Sequence, residues 1–268
     1  MNSGWDCHAH LFGPYARYPL AADRSYTPPE ATAPQYLAML SRLGLSHGVL
    51  VHPSAYGDDY SLLFDALALH HNLRGVIVLR PDTLPALQHL RGKGIRAARF
   101  SHRSAAGANF AGSASFDDLL ALAPRLADAG LHAELWTDCK ALPGIADPLR
   151  RLPVPVVIDH MGGFDAHAGI DEPGFACLLS LVESGHAWVK LCAYRNLLTA
   201  ADFDMGKPFH EALLRANPQR LLWGSDWPHL RVTPTPDAAH LFDVFKRWTG
   251  CDAQVSQIIE GNPAALYL

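Results

Sequence analysis

The chain has 268 residues, 49% hydrophobic and 18% charged, which suits one large packed core and argues against disorder. Its 22 Lys and Arg against 26 Asp and Glu give a formal charge of -4, with no basic tail and no basic stripe interleaved with aromatics, so nucleic acid is not an expected partner. A small anionic ligand stays open, because a pocket can be locally basic on an acidic protein, and no apolar run reaches the roughly 18 residues that cross a bilayer.

The five cysteines, at 7, 139, 177, 192 and 251, form no CxxC pair and no zinc-knuckle spacing. An odd count without a framework points to reduced thiols in a cytoplasmic protein. The first strand begins so close to residue 1 that no signal peptide is expected. That strand, over 5–11, carries Asp6-Cys7-His8-Ala9-His10. Residues two apart on a strand point the same way, so His8 and His10 are expected on one face with Cys7 and Ala9 on the other. Residues 12–34 are irregular and proline-rich with Tyr15, Tyr18 and Tyr26, long enough to fold over a barrel mouth or to wrap the surface.

Beyond residue 34 the pattern alternates. Helical periodicity covers 34–43, 58–71, a short 84–90, 116–129 with Pro124 inside, part of 142–152, 175–184, 208–216, 238–248 and 254–260, with Gly261-Asn262-Pro263 turning the tail. Strand-like runs lie at 48–51, 75–79, 95–100, 131–136, 155–158, 187–191 and 221–226. Loops over 101–115 and 192–207 complete the set. Eight strands separated mostly by helices give the count of a (β/α)8 TIM barrel, expected here in distorted form as a single domain over 1–268.

Catalytic groups of such a barrel sit at the C-terminal ends of its strands. His8, His10, Arg99, His160, Arg195 and Asp226 all fall at or just past those ends, while His132 and Glu134 inside strand five show that polar residues also occur elsewhere. His160 suits a metal ligand, an acid, a donor to a carbonyl oxygen, or a strand-end cap. Asp226, between Trp223 and Trp227, sits in a setting expected to raise its pKa, and suits either a base acting on water or a structural partner to a histidine. Arg99 and Arg195 suit bidentate grip of carboxylates, or structural salt bridges. No Gly-x-Gly-x-x-Gly is present, so no nucleotide cofactor is expected, and Ser54 lies outside any Gly-x-Ser-x-Gly elbow.

The ordered set Asp6-Cys7-His8-Ala9-His10-Leu11-Phe12-Gly13-Pro14, Tyr26-Thr27-Pro28-Pro29, Gly94-Ile95-Arg96-Ala97-Ala98-Arg99-Phe100, Val157-Ile158-Asp159-His160-Met161-Gly162 and Trp223-Gly224-Ser225-Asp226-Trp227-Pro228-His229 resembles the amidohydrolase superfamily. The resemblance is to its 2-pyrone-4,6-dicarboxylate hydrolase-like branch, which also holds sulfomuconolactone hydrolases and galactarolactone isomerase, and it spans nearly the whole chain. It implies that His8, His10 and His160 polarise a lactone carbonyl and that Asp226 activates water. It also implies that Arg99 and Arg195 hold substrate carboxylates while Tyr26 and Ser54 line the pocket.

Two departures stand out. A further carboxylate-binding arginine of the family is matched only loosely by Arg103. A tyrosine on the following strand is replaced by Trp136, which removes one hydrogen bond to substrate, worth roughly 0.5 to 3 kcal/mol. Members of the superfamily commonly hold divalent ions, and the expectation is either no cofactor or one Zn2+ held by His8, His10, His160 and Asp226. Lys190, on strand seven, is not placed to bridge two metals. The expected activity is opening of a small carboxylated lactone, 2-pyrone-4,6-dicarboxylate or an analogue such as a muconolactone derivative, in aromatic compound degradation by a monomer or homodimer. Lactone isomerisation, metal-dependent nonhydrolytic decarboxylation and a non-catalytic acid-binding barrel are the alternatives.

Overall fold

Short runs rich in valine, leucine and alanine form eight strands: β1 (Trp5–Ala9), β2 (His47–Val51), β3 (Leu73–Val78), β4 (Ile95–His102), β5 (His132–Thr137), β6 (Val156–Ile158), β7 (Ala187–Leu191) and β8 (Leu221–Trp223). The computed structural model, which describes residues 3–83, 86–105, 112–198 and 202–268, arranges them in sequence order in one parallel sheet. Both faces of a barrel strand are buried, so the strands read as continuous apolar runs. Val49, Val51, Val76, Ala97, Val157 and Leu222 pack together with Trp5, Cys7, Trp188 and Tyr267 inside the barrel. The alternate positions, among them Leu50, Ile77, Phe100, Leu135, Ile158 and Leu221, pack with the surrounding helices.

The outer layer comprises α1 (Ala33–Leu43), α2 (Ser61–Leu69), α3 (Phe116–Asp128), α4 (Ala146–Arg150), α5 (Pro173–Glu183), α6 (Lys207–Ala216), α7 (Ala238–Thr249), α8 (Asp252–Ser256) and α9 (Asn262–Tyr267). Local chemistry sets their ends: Thr32 and Gln35 form a capping box before α1, Ser115 and Asp118 another before α3, and Gly44 stops α1 with a left-handed φ of 71°. No helix among the described residues is long and apolar enough to cross a membrane. All five cysteines are free.

The ring closes just beyond β8 rather than along it. Asp226 N donates to His8 O and His10 N to Trp227 O, each at 2.8 Å. Gly224 permits this approach, since a Cβ there would lie 2.7 Å from the His8 Cβ. Asp6 locks the seam: its carboxylate accepts Ser225 N at 2.8 Å, Ser225 Oγ at 2.6 Å, Tyr36 Oη at 3.2 Å and His8 N at 3.2 Å. Burial, opposed by these hydrogen bonds, pushes the Asp6 carboxyl up to about 6.

Four expectations are corrected. A register shift between Asp6 and Ala9 places a bulge in β1, so Cys7 joins the barrel interior instead of facing away from the two histidines. Over 84–90 the described residues form 3-10 turns (Leu87–His89 and then Arg91–Lys93), the run being too short to nucleate an α-helix; residues 84 and 85 lie outside the described residues. β8 stops at Trp223 instead of reaching Asp226, so Asp226 lies past its strand, and β4 runs on past Phe100 to His102, with Arg99 inside it as expected. The tail does not turn at 261–263: a π turn (Gln257–Gly261) leads into α9, where Pro263 sits in the first turn and needs no N–H partner. The Asn262 amide donates to Pro218 O at 2.8 Å and Leu221 O at 2.7 Å, tying α9 to the N-terminal side of β8.

Candidate active site

At the C-terminal end of the barrel, β1 supplies His8 and the position after it His10. β4 supplies Arg99, β5 Glu134 and β7 Lys190, while the turns after β6 and β7 supply His160, Tyr194 and Arg195. His160 and Asp226 both adopt left-handed backbone, with φ of 51° and 58°. For a non-glycine residue that conformation costs of order 1–3 kcal/mol and persists only where neighbours hold it. Here Asn196 Nδ2 donates to His160 O at 2.8 Å, and the seam hydrogen bond to His8 O holds Asp226.

The two oxygens of Asp226 have different surroundings. Oδ2 accepts Tyr194 Oη at 2.7 Å and also Arg195 Nε. Oδ1 receives no hydrogen bond and faces His10 Nε2 at 3.3 Å and His8 Nε2 at 3.7 Å. Burial works against the ionised carboxylate, but Arg195, His160, His10 and His8 outweigh it and hold the pKa well below the usual carboxylate value. The expected upward shift is therefore reversed, because the tryptophans flank a site whose nearest groups are cationic or hydrogen-bond donors. Burial, and then Asp226, raise the Tyr194 phenol, which keeps its proton and donates.

Beneath this pair lies a fully buried ionic layer. Lys190 Nζ contacts Glu134 Oε2 at 2.6 Å, His8 Nδ1 at 3.1 Å and Asp159 Oδ1 at 3.3 Å. Tyr267 Oη, from α9, donates to Glu134 Oε1 at 2.9 Å. Arg99 gives both Nε and Nη2 to Asp159 Oδ2, at 3.0 and 2.9 Å. Burial lowers the Lys190 pKa but Glu134 and Asp159 raise it more, so it stays an ammonium. Burial and the Lys190 charge lower His8 to about 4, against the pull of Asp159, and burial takes His160 well below its ordinary value. Both imidazoles are neutral near pH 7.

A cavity of about 150 Å3 opens over the layer, lined among others by His10, Tyr26, His52, Ser54, Arg99, Trp136, His160, Arg195, Asp226 and Arg231. A void of that size takes a single small ring. Of the residues singled out in the sequence, His10, His160, Asp226, Arg99, Arg195, Tyr26, Ser54 and Trp136 converge on it, and His8 lies behind His10 with ring centroids 5.1 Å apart. Arg103 is not in the lining: its guanidinium stacks on Trp136 at 4.5 Å. Arg99 and Arg195 each pair with a carboxylate of the protein, leaving only their remaining N–H groups for a ligand. Sequence reasoning gave no role to Tyr194, Lys190, Glu134, Asp159, Asp6 or Arg231. An ion inside a strand-like run was the available signal for Lys190 and Glu134; the two lie on non-adjacent strands and meet only across the barrel.

The donor set fits a divalent cation. His10 Nδ1 donates to Val51 O at 2.8 Å, so with one ring proton His10 turns its Nε2 lone pair toward Asp226 Oδ1, and two lone pairs at 3.3 Å favour a cation between them. His8, His10 and Asp226 form one group with ligand atoms within 4.8 Å of one another; His8, Asp159 and His160 form a second. His8 Nε2, His160 Nδ1 and Asp226 Oδ1 are buried without hydrogen bonds.

The 4-sulfomuconolactone hydrolase of Rhizobium radiobacter is 34% identical over 273 residues, covering 99% of this chain and 90% of that protein. The 2-pyrone-4,6-dicarboxylate hydrolase of Comamonas testosteroni is 30% identical, covering 98% and 89%. A crystal structure from Pseudomonas putida, provisionally assigned as a 2-pyrone-4,6-dicarboxylic acid hydrolase, superposes with a TM-score of 0.84 at 30% identity over 100% of this chain and 98% of that one. A Burkholderia multivorans amidohydrolase with bound zinc shares the fold at a TM-score of 0.76 and 20% identity, covering 98% of each chain. The family described as amidohydrolase matches residues 5–268, and the chain belongs to that family of enzymes.

Proposed function

We propose that this protein is a hydrolase that opens a small lactone carrying one or more acid groups, with 2-pyrone-4,6-dicarboxylate and sulfonated muconolactone as the first candidates. The similarity to two curated lactone hydrolases supports the substrate class. The observation that carries the chemistry is the asymmetry of Asp226: Oδ2 is held by Tyr194 and Arg195, while Oδ1 faces the histidines without a hydrogen bond.

Asp226 is ionised at any working pH and is a weak base toward free water. It takes a proton only as the attacking oxygen bonds to the lactone carbonyl carbon, when the water becomes strongly acidic. His8, His10 and His160 surround the position of the developing oxyanion; the neutral rings of His8 and His160 can donate to it, while His10, whose Nδ1–H is given to Val51 O, presents its Nε2 to the site. Collapse of the tetrahedral intermediate breaks the ring C–O bond, and the proton on Asp226 passes to the departing ring oxygen. Arg99 and Arg195 hold the carboxylates Asp159 and Asp226 in place and orient substrate through their remaining N–H groups.

A single zinc held by His8, His10 and Asp226, with His160 beside it, would supply Lewis-acid polarisation of the carbonyl and a more acidic water.

Product mass is the test. Incubation with each of the two lactones should give a product heavier by one water. Unchanged mass would indicate isomerisation, loss of carbon dioxide would indicate decarboxylation, and absence of turnover of both by folded protein would sink the proposal.

A further inference from the structure

Three cations line the cavity: Arg99, Arg195 and Arg231. The first two are matched by carboxylates of the protein, Asp159 and Asp226, and the deeper Lys190 is matched by Glu134. These three pairs cancel. Arg231 is different. Among the described residues it has no carboxylate partner, and its guanidinium lies 4.5 Å over the Tyr26 ring. Stacking uses the face of the guanidinium and leaves its in-plane N–H donors free. The backbone is bent to place it there: Arg231 has a left-handed φ of 61°, two residues after His229 at 63°. Tyr26, beneath it, also lines the cavity and is hydrogen-bonded to Ser54.

We infer that Arg231 is the acid-binding residue of this site, and that the surplus positive charge it places at the cavity mouth makes one carboxylate or sulfonate on the ring obligatory for tight binding. Arg99 and Arg195 are then primarily clamps on Asp159 and Asp226. A second acid group on the ring finds only their residual N–H donors, so it contributes less than the first. The inference rests on the lactone-hydrolase reading for the ring; the anion site itself follows from the pairing of charges.

The test is calorimetric binding of isophthalate, a planar six-membered ring diacid that cannot be hydrolysed, and of its uncharged dimethyl ester, to wild type, Arg231→Met and Arg231→Lys. Wild type should bind isophthalate more tightly than the ester. Arg231→Met should lose about ten-fold in isophthalate affinity, the lower end of the range for a charged hydrogen bond because Arg231 is exposed. Arg231→Lys should recover part of the loss, and ester binding should be equal in all three. Equal isophthalate affinity in wild type and Arg231→Met would overturn the inference, as would wild type that ignores isophthalate or prefers the ester. The two readings separate cleanly. Arg231-dependent isophthalate binding by a protein that opens no lactone would remove the proposed reaction and keep the acid site. Lactone opening with unchanged kcat/KM in Arg231→Met would do the reverse.

Discussion

Replacing Lys190 with Met tests whether the buried ionic layer underpins the barrel as well as the site. The substitution keeps the apolar stem but removes the ammonium from Glu134 Oε2 at 2.6 Å and Asp159 Oδ1 at 3.3 Å, leaving two carboxylates facing each other in a dry interior. Asp159 keeps Arg99, and Glu134 keeps the Tyr267 hydroxyl and the His132 ring, whose Nε2 lies 3.9 Å from Oε1. Breaking a buried pair by removing one partner costs about 3–5 kcal/mol. A domain of ordinary stability has only about 5–15 kcal/mol in total, and the midpoint of thermal unfolding should fall by roughly 10 °C. Adding Glu134→Gln removes the stranded charge, so the double variant should recover on the order of 2 kcal/mol relative to additivity. Equilibrium urea unfolding followed by circular dichroism gives all four corners of the cycle. A Lys190→Met variant within about 1 kcal/mol of wild type, or a cycle that closes additively, would refute the electrostatic account of this layer.

Tyr194→Phe removes the 2.7 Å hydrogen bond to Asp226 Oδ2 while Arg195 remains, so steady-state kinetics should show kcat reduced about ten-fold with KM little changed; an unaltered kcat would show that Tyr194 does not orient the base. Asp6, raised from 3.8 to about 6, binds a proton more tightly in the folded than in the unfolded chain. Its contribution to stability is therefore present below pH 3.8 and lost as pH rises through about 6, by about 3 kcal/mol. Wild type should lose most of that amount relative to Asp6→Asn between pH 4 and 7 in urea titrations, and a pH-independent gap would contradict the assignment. Dialysis against zinc should leave one equivalent per chain in wild type, measured by elemental analysis, and His10→Ala should retain much less; equal content would place the metal elsewhere.

How much of this was legible in the sequence follows from the range of the forces involved. The two-residue period of His8 and His10 and the position of Asp226 after an apolar run are local, and both were readable. The bulge that turns Cys7 inward is not, because it is imposed by pairing with β2. The depressed pKa of Asp226 depends first on Arg195, which arrives from 31 residues away, and then on His160, His10 and His8 from other strand ends, so its aromatic flanks misled. Lys190 and Glu134 lie 56 positions apart and Asp6 and Ser225 219 apart; only barrel closure brings either pair together. Tyr26, Ser54, Arg99 and Arg195 came from resemblance and strand-end position, and the structure adds what neither supplied: which carboxylate each arginine already holds.

The central claim is that Asp226 is the base that activates water for opening an acid-bearing lactone. Its most direct test is the loss of ultraviolet absorbance of 2-pyrone-4,6-dicarboxylate, or of sulfonated muconolactone if that is the better substrate, with wild type and Asp226→Asn, alongside binding of the same lactone to the variant. Turnover by wild type, and binding without turnover by Asp226→Asn, is the predicted result. Turnover by Asp226→Asn near the wild-type rate would contradict the account.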